Sequence, residues 1–368
     1  MRIVLDNIVF SLQKSGGVSI LWIELINKII KDKRFEVQFL EYTGAEENLA
    51  RKSINIDKDK FISHKNRKLK LERYSNVKLD INEPFIFISS YYRVSSNKNA
   101  INFTIVHDFT YEFYRKGIAK LVHSYQKNYA VKKSDGIICI SENTKKDLLH
   151  FVPKVDPEKI RVIYNGVSED FFKIDEDFNI AEKDSRFSSL ENFKYLLYIG
   201  HRTSYKNFPI AVAAAAKVKE NYKFVVVGES FNEEEIKVLA THFEENEYIV
   251  ISRLNNKVLN ALYNKAFALL YPSSYEGFGI PIVEAMKTHC LVIASNNSSI
   301  PEVAGDAAIL CNSINEDEFV NGIYLLEDEF FRNQLIRKGI NQSRKFSWDL
   351  TMTNYLDFFE ELFNKNEK

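Results

Sequence analysis

Twelve short, largely apolar runs punctuate the chain in two successive series of six. The first series is RIVL (2–5), VQFLEY (37–42), FIFISS (85–90), FTIVHD (103–108), GIICIS (136–141) and RVIYNG (161–166). The second is YLLYIG (195–200), KFVVVG (223–228), YIVIS (248–252), FALLYPS (267–273), LVIAS (291–295) and AAILC (307–311). Runs without polar alternation suit strands covered on both faces of a parallel sheet. Between several of them lie helix-like segments such as 18–30, 209–222 and 256–267, which predicts βαβ units. The expected fold class is therefore α/β, with two Rossmann-like, doubly wound parallel-sheet domains.

The pattern breaks at 168–192, an acidic, polar stretch that reads as a linker. It divides the chain into domains at 1–167 and 193–345, with a cleft expected between them. At 346–368, Trp348, Tyr355, Phe358, Phe359 and Leu362 recur at near-helical spacing, so this segment is an amphipathic helix needing a groove to cover.

A hydrophobic fraction of 45% over 368 residues is enough for two cores, and excludes disorder as the default. Fifty Lys and Arg balance fifty Asp and Glu, so nothing in the overall charge argues for a nucleic-acid binder. Cys139, Cys290 and Cys311 are odd in number and set in or beside apolar runs, which fits buried free thiols in a reducing compartment. The opening MRIVLDNIVF carries Asp6 within its apolar run and reads as a strand, not a secretion signal.

Parallel sheets bind ligands beyond the carboxyl ends of their strands, so the residues following each run carry the chemistry. After YLLYIG, Arg202 and Lys206 precede a helix that Pro209 can start, an arrangement suited to a diphosphate. Taken alone, a solvated loop describes the two cations better. After FALLYPS, Gly277 and Gly279 permit close backbone approach, Pro281 suits a first helical turn, and the amides of Phe278 to Ile280 can meet an anion. Glu276 lies before that helix and Glu284 is expected in its first turn. A loop acid and a helix-start carboxylate are the plain alternatives.

In the first half, His107 and Asp108 stand at a strand end, and Gly16 and Gly17 lie between the first strand and first helix. The glycines do not form GxGxxG, which counts against a dehydrogenase. The triplets at 57–59 and 175–177 read as solvated charge, and no metal site is expected. Residues 113–133 hold Arg115, Lys116, Lys120, Lys127, Lys132 and Lys133 without an acid, interleaved with Leu121, Val122, Tyr125 and Tyr129. Such a helix suits an anionic membrane or an acidic acceptor, with a plain surface helix as the alternative. Residues 64–78 repeat the basic bias.

Together these residues resemble the retaining, GT-B fold glycosyltransferases of family 4. The resemblance is dense over 195–310, where GHRTSYKN, VVVGES, LNNKVLNALYNKAFALLYPSSYEGFGIPIVEAM and SSIPEVAGDAAIL occur in order. It is looser in the first half, through SGGVS, HDFTYE, SDGIICISENTKKDL and IRVIYNGV. EGFGIPIVE matches the family's paired-glutamate motif, two Glu separated by seven residues.

The resemblance implies that Glu276 meets hydroxyls of the donor sugar and Glu284 the ribose. Arg202 and Lys206 would hold the diphosphate, assisted by the Phe278, Gly279 and Ile280 amides. Leu254 would meet the base, His107 the transferred sugar, and Gly17 would lie beneath the diphosphate. Arg253 and Leu254 stand where family members commonly have Gly and an aliphatic residue. The implied reaction moves a hexose or deoxyhexose from a UDP-, GDP- or dTDP-sugar to a glycan or lipid-linked saccharide, with retention. It needs no metal, no cofactor beyond the nucleotide-sugar co-substrate, and no enzymic nucleophile. Surface polysaccharide assembly is the implied setting, in the cytoplasm, with the basic segment as a route to the membrane face. The C-terminal helix is implied to pack back on the first domain. A sugar-nucleotide epimerase of the same fold and a non-catalytic sugar-nucleotide-binding subunit are the competing readings.

Overall fold

The computed structural model describes residues 1–62, 69–174, 185–190, 193–244, 247–252 and 254–366. Much of the expected linker, the triplet at 175–177, Arg253 and residues 64–68 of the second basic stretch lie outside these residues. The chain divides into two compact units, Met1–Gly166 with the C-terminal helix from Trp348, and Val167–Ser347.

The first unit is built on β1 (Arg2–Asp6), β2 (Glu36–Leu40), β3 (Phe85–Ser89), β4 (Ala100–Val106), β5 (Gly136–Cys139) and β6 (Ile160–Val162). They form one sheet in the order β2-β1-β3-β4-β5-β6, every pair parallel. The second unit carries β7 (Tyr195–Ile199), β8 (Lys223–Val227), β9 (Tyr248–Ile251), β10 (Ala268–Tyr271), β11 (Leu291–Ser295) and β12 (Ile309–Cys311). Its order is β12-β11-β10-β7-β8-β9, again all parallel. Every residue of β3, β5, β10 and β11 is buried, as two-sided helical cover requires.

Strand order reverses between β1 and β3 in the first unit and between β7 and β10 in the second. At such a point the outgoing connections part to opposite faces and leave a crevice at the carboxyl ends. In the first unit that crevice is floored by buried charge. Arg93 Nη1 meets Asp6 Oδ2 at 3.0 Å and donates to the Tyr42 hydroxyl at 2.7 Å, while Nη2 meets Glu72 Oε1 at 3.0 Å. Arg93 Nε donates to the Ser75 carbonyl at 3.1 Å, which ties the 72–75 segment to the strand ends.

The C-terminal helix, Trp348–Asn366, sets Phe358 and Phe359 edge-on against Phe103 at 5.4 and 4.7 Å. Arg34 clamps its outer face through Asp357 and Glu360 at 2.8 and 2.6 Å. The three cysteines are buried and free.

Removing one partner of a buried charge network leaves the others desolvated and unpaired. Arg93→Met is therefore expected to lower stability by about 3–5 kcal/mol in urea unfolding. Arg34→Ala, which breaks partly exposed pairs, should cost about 1 kcal/mol or less.

Candidate functional site

In the second unit the loops leaving β7 and β10, the strands at the order reversal, are tied to each other. Asn207 takes the left-handed conformation (φ 49°) and sends its side-chain amide across to the Pro272 carbonyl at 2.8 Å and the Ser274 hydroxyl at 2.7 Å. Ser274 N–H donates back to the Tyr205 carbonyl at 2.7 Å. Asn tolerates that backbone region better than most residues, which suits it to this turn. The helix Phe208–Ala216 starts immediately after Asn207, with Pro209 in its first turn as expected.

This tie brings Lys206 Nζ to 2.5 Å from Glu276 Oε1, both side chains being mostly buried. Glu276 is held from behind. Its N–H donates to Ser298 Oγ at 2.8 Å, and Ser299 Oγ donates to the carbonyls of Glu276 and Phe278 at 2.9 and 2.8 Å. Gly279, at φ 111°, caps the helix Ile280–Lys287, whose first turn contains Pro281. Its backbone conformation is one that side-chain-bearing residues rarely adopt. Phe278 packs its ring edge-on against Phe346 at 5.5 Å, so its side chain belongs to the packing of the unit.

Two expectations are corrected here. Glu284 is the fifth residue of its helix, and the first turn holds no acid, because the helix starts at Ile280. A helix-start carboxylate therefore does not explain Glu284. Burial pushes its carboxyl up to about 7, against the opposing pull of a 2.8 Å hydrogen bond from the Tyr263 hydroxyl. Arg202, expected beside Lys206, instead turns toward the next loop. Its Nη2 donates to the Glu229 and Ser230 carbonyls at 2.7 and 3.0 Å, and its Nε lies 3.1 Å from Glu235 Oε1. Nε and Nη1 make no hydrogen bond among the described residues, Nε being held by the ion pair with Glu235 alone. Each cation thus has its own carboxylate, Arg202 with Glu235 and Lys206 with Glu276.

A cavity of about 670 Å3 opens at the ends of β7, β8 and β9, lined by residues that include Gly200, His201, Gly228, Ser230 and Leu254. Leu254 is part of the wall of this cavity. Gly228 has no room for a side chain, since a Cβ would fall 2.6 Å from Arg202 Nη1 and 2.7 Å from the Gly200 carbonyl. Sequence reasoning missed Gly200, Gly228, Asn207 and Ser299. A glycine directly after an apolar run, twice, was the available signal for the first pair; the serine and asparagine had none.

In the first unit, Gly17 opens the helix Gly17–Ile29, and a Cβ there would meet nothing within 4 Å. No packing demand explains that glycine. The loop before it is pinned by Asn48, whose amide donates to the Gln13 carbonyl and Ser19 Oγ at 2.8 and 3.0 Å. His107 follows β4, and burial lowers its imidazole to about 4, so it is neutral at neutral pH. It is therefore equipped to hydrogen-bond a hydroxyl and not to supply charge.

Lys127, read from sequence as one of the outward cations, is fully buried. It ion-pairs with Glu112 at 2.9 Å and donates to the Asp108 carbonyl at 2.7 Å, which steadies the turn carrying His107. The segment also splits into two helices, Thr110–Tyr114 and Gly117–Lys133.

The family model described as "Glycosyl transferases group 1" matches residues 180–342, and that described as "Glycosyltransferase Family 4" matches residues 15–171. The O-antigen chain mannosyltransferase B of Escherichia coli is 29% identical over 175 residues, 46% of each chain. The N-acetylgalactosamine-N,N'-diacetylbacillosaminyl-diphospho-undecaprenol 4-alpha-N-acetylgalactosaminyltransferase of Campylobacter jejuni is 22% identical over 84% of this chain and 82% of its own. The chain spans about half or less of several curated relatives, 46% of the first and 30% of the serotype-specific mannosyltransferase WbdA. Among solved structures, the Anabaena protein HepE in complex with UDP-glucose superimposes with a TM-score of 0.70 at 14% identity, covering 98% of this chain and 100% of that one. The likeness identifies the two-domain α/β architecture as the GT-B fold.

The raised carboxyl of Glu284 gives a stability signature. Its folded value, about 7, lies above its ordinary 4.5, so the folded chain holds a proton that the unfolded chain releases, and stability falls as pH rises between these values. Glu284→Gln should gain on the parent protein across that window in thermal unfolding, then hold a constant lead. A difference independent of pH would contradict the assignment.

Proposed function

The chain belongs to the group 1, family 4-type glycosyltransferases, and on that premise we propose that it moves a hexose or deoxyhexose from a nucleotide-diphosphate sugar to a saccharide or lipid-linked saccharide acceptor. The observation carrying this reading is the Lys206–Glu276 pair at the strand-order reversal, beside the Ile280–Lys287 helix start. Breaking the bond between the anomeric carbon and the diphosphate sends its electron pair to the leaving phosphate. Lys206, the free Nη1 of Arg202 and the amides at Phe278 to Ile280 stabilise that charge from fixed positions, so the reading requires no metal ion. In the second unit Glu276 takes sugar hydroxyls, Glu284 the ribose and Leu254 the base; in the first unit neutral His107 is suited to a sugar hydroxyl, and Gly17 leaves its backbone open to phosphate. The acceptor hydroxyl adds on the face the phosphate leaves and gives its proton to that phosphate, so configuration is retained. Named relatives that transfer mannose make mannose the first donor sugar to test.

An anionic membrane is the second surface in this reading. On the Gly117–Lys133 helix, Ile118 and Leu121 are 80 and 68% exposed and share one face. Arg115, Lys116, Lys132 and Lys133 are exposed around it, a charge pattern complementary to acidic headgroups. Among the described residues no helix is long and apolar enough to cross a membrane.

Donor turnover with acceptor present should fall roughly 100-fold in Lys206→Met and in Glu276→Gln. Parent-like rates in both would overturn the site. Donor incubated alone must not yield a new sugar nucleotide, which would be the epimerase outcome. Co-sedimentation with vesicles containing anionic lipid should weaken in Ile118→Gln/Leu121→Gln and at high salt. Equal binding to purely zwitterionic vesicles would refute the charge argument.

A further inference from the structure

The first unit holds a cavity of about 490 Å3 between the 74–78 segment and the Gly117–Lys133 helix. Its wall includes Tyr74, Asn76, Tyr92, Tyr125, Gln126 and Tyr129, a ring of phenols interrupted by two amides. Tyr125 stays 73% exposed, although it offers an aromatic face that burial would favour, while Tyr74, 52% exposed, has the Arg73 guanidinium 4.9 Å from its ring centroid. The Tyr125 and Tyr129 rings lie near-parallel with centroids 6.4 Å apart, and Asn76 Nδ2 donates to the Tyr129 hydroxyl at 2.7 Å.

Gln126 is 8% exposed; its Nε2 donates to the Arg73 carbonyl, while its Oε1 has no donor among the described residues. A buried carbonyl left unmatched is costly, so an occupant or water bearing a donor is favoured there. The wall is also pre-built. The Ser75 carbonyl is held by Arg93 of the buried charge network, and the Tyr92 side chain meets the His107 backbone N–H.

Aromatic faces next to planar amides and hydroxyls, with a single ammonium at Lys78, match a neutral ligand that has apolar C–H faces and hydroxyl edges. We propose that this cavity is a saccharide subsite, in which a pyranose ring lies on Tyr125 or Tyr74 and presents hydroxyls to Gln126 and Asn76. It rests on the transferase reading only for the identity of that sugar as part of the acceptor. Because the wall reaches the His107 backbone, the subsite takes an acceptor unit next to the reacting one.

The test is ligand-observed saturation-transfer NMR on the full chain. The probes are α-linked mannobiose and the methyl glycosides of mannose, glucose, galactose and N-acetylglucosamine, with uridine and guanosine as controls. At least one saccharide should give a signal, and its apparent Kd should rise roughly two- to tenfold in Tyr125→Ala but little in Tyr125→Phe. Tyr125 is exposed, so its removal leaves the fold intact, and Glu276→Gln should leave the saccharide signal unchanged. No signal from any saccharide, a signal indifferent to Tyr125→Ala, or displacement by the nucleosides would each overturn the subsite. Donor hydrolysis measured without acceptor should be parent-like in Tyr125→Ala. If the parent protein turns over no donor yet binds saccharide through Tyr125, the subsite stands and the transferase reading falls. If donor is turned over and Tyr125 does not matter, the reverse holds.

Discussion

Both units depend on one constraint, the burial of an all-parallel sheet on its two faces. Strands such as β3, β5, β10 and β11 have no solvent side on which to place a polar group. Recognition chemistry is therefore pushed to the strand ends, and the reversal of strand order decides which ends are left open. In the second unit the reversal sets the loops after β7 and β10 side by side. In the first it sets Asp6 against the loop that carries Arg93, and it is this loop that in turn fixes the tyrosine cavity.

The candidate site is organised less by its charged groups than by the neutral side chains that hold them. Asn207 and Ser274 close the seam between two loops, and Ser298 and Ser299 hold Glu276 from behind. Rotating Lys206 or Glu276 out of their pair would break a short contact, but the loops carrying them would stay in place. A positively charged side chain is thus kept ready at a strand end without being left unpaired in a partly buried setting. Arg202 is treated the same way by Glu235 and two carbonyls. A ligand phosphate at this site would exchange one anionic partner for another, which costs less than desolvating a free guanidinium.

Reading along the chain was reliable where a local pattern carries the physics. Each expected strand corresponds to an observed one, though AAILC and RVIYNG each give strands of three residues. Pro209 and Pro281 lie in the first turns of their helices, as proline's missing N–H dictates. It was unreliable for single charged residues. Lys127 was counted among outward cations because its neighbours are basic, whereas it faces Glu112, fifteen positions earlier, from inside the unit. Arg202 was paired with Lys206 by proximity in sequence, yet its partner Glu235 lies in the first turn of the helix Glu233–Ala240 that follows β8. Nothing in the spelling of either segment distinguishes a cation that faces solvent from one that is claimed by a distant carboxylate.

The sequence by itself determined the two series of strands, the strand-end positions of Lys206, Glu276 and His107, and the glycines and prolines that start the adjoining helices. These follow from side-chain periodicity and backbone permissiveness, which act over a few residues. Tertiary structure alone decided that Lys206 meets Glu276, that Arg202 is turned aside, that Glu284 is buried enough to be raised to about 7, and that the tyrosines surround a cavity. Those outcomes depend on contacts between residues 70 or more positions apart in the case of Lys206 and Glu276. Such contacts, and the desolvation that accompanies them, come into being only when the sheet brings the loops together.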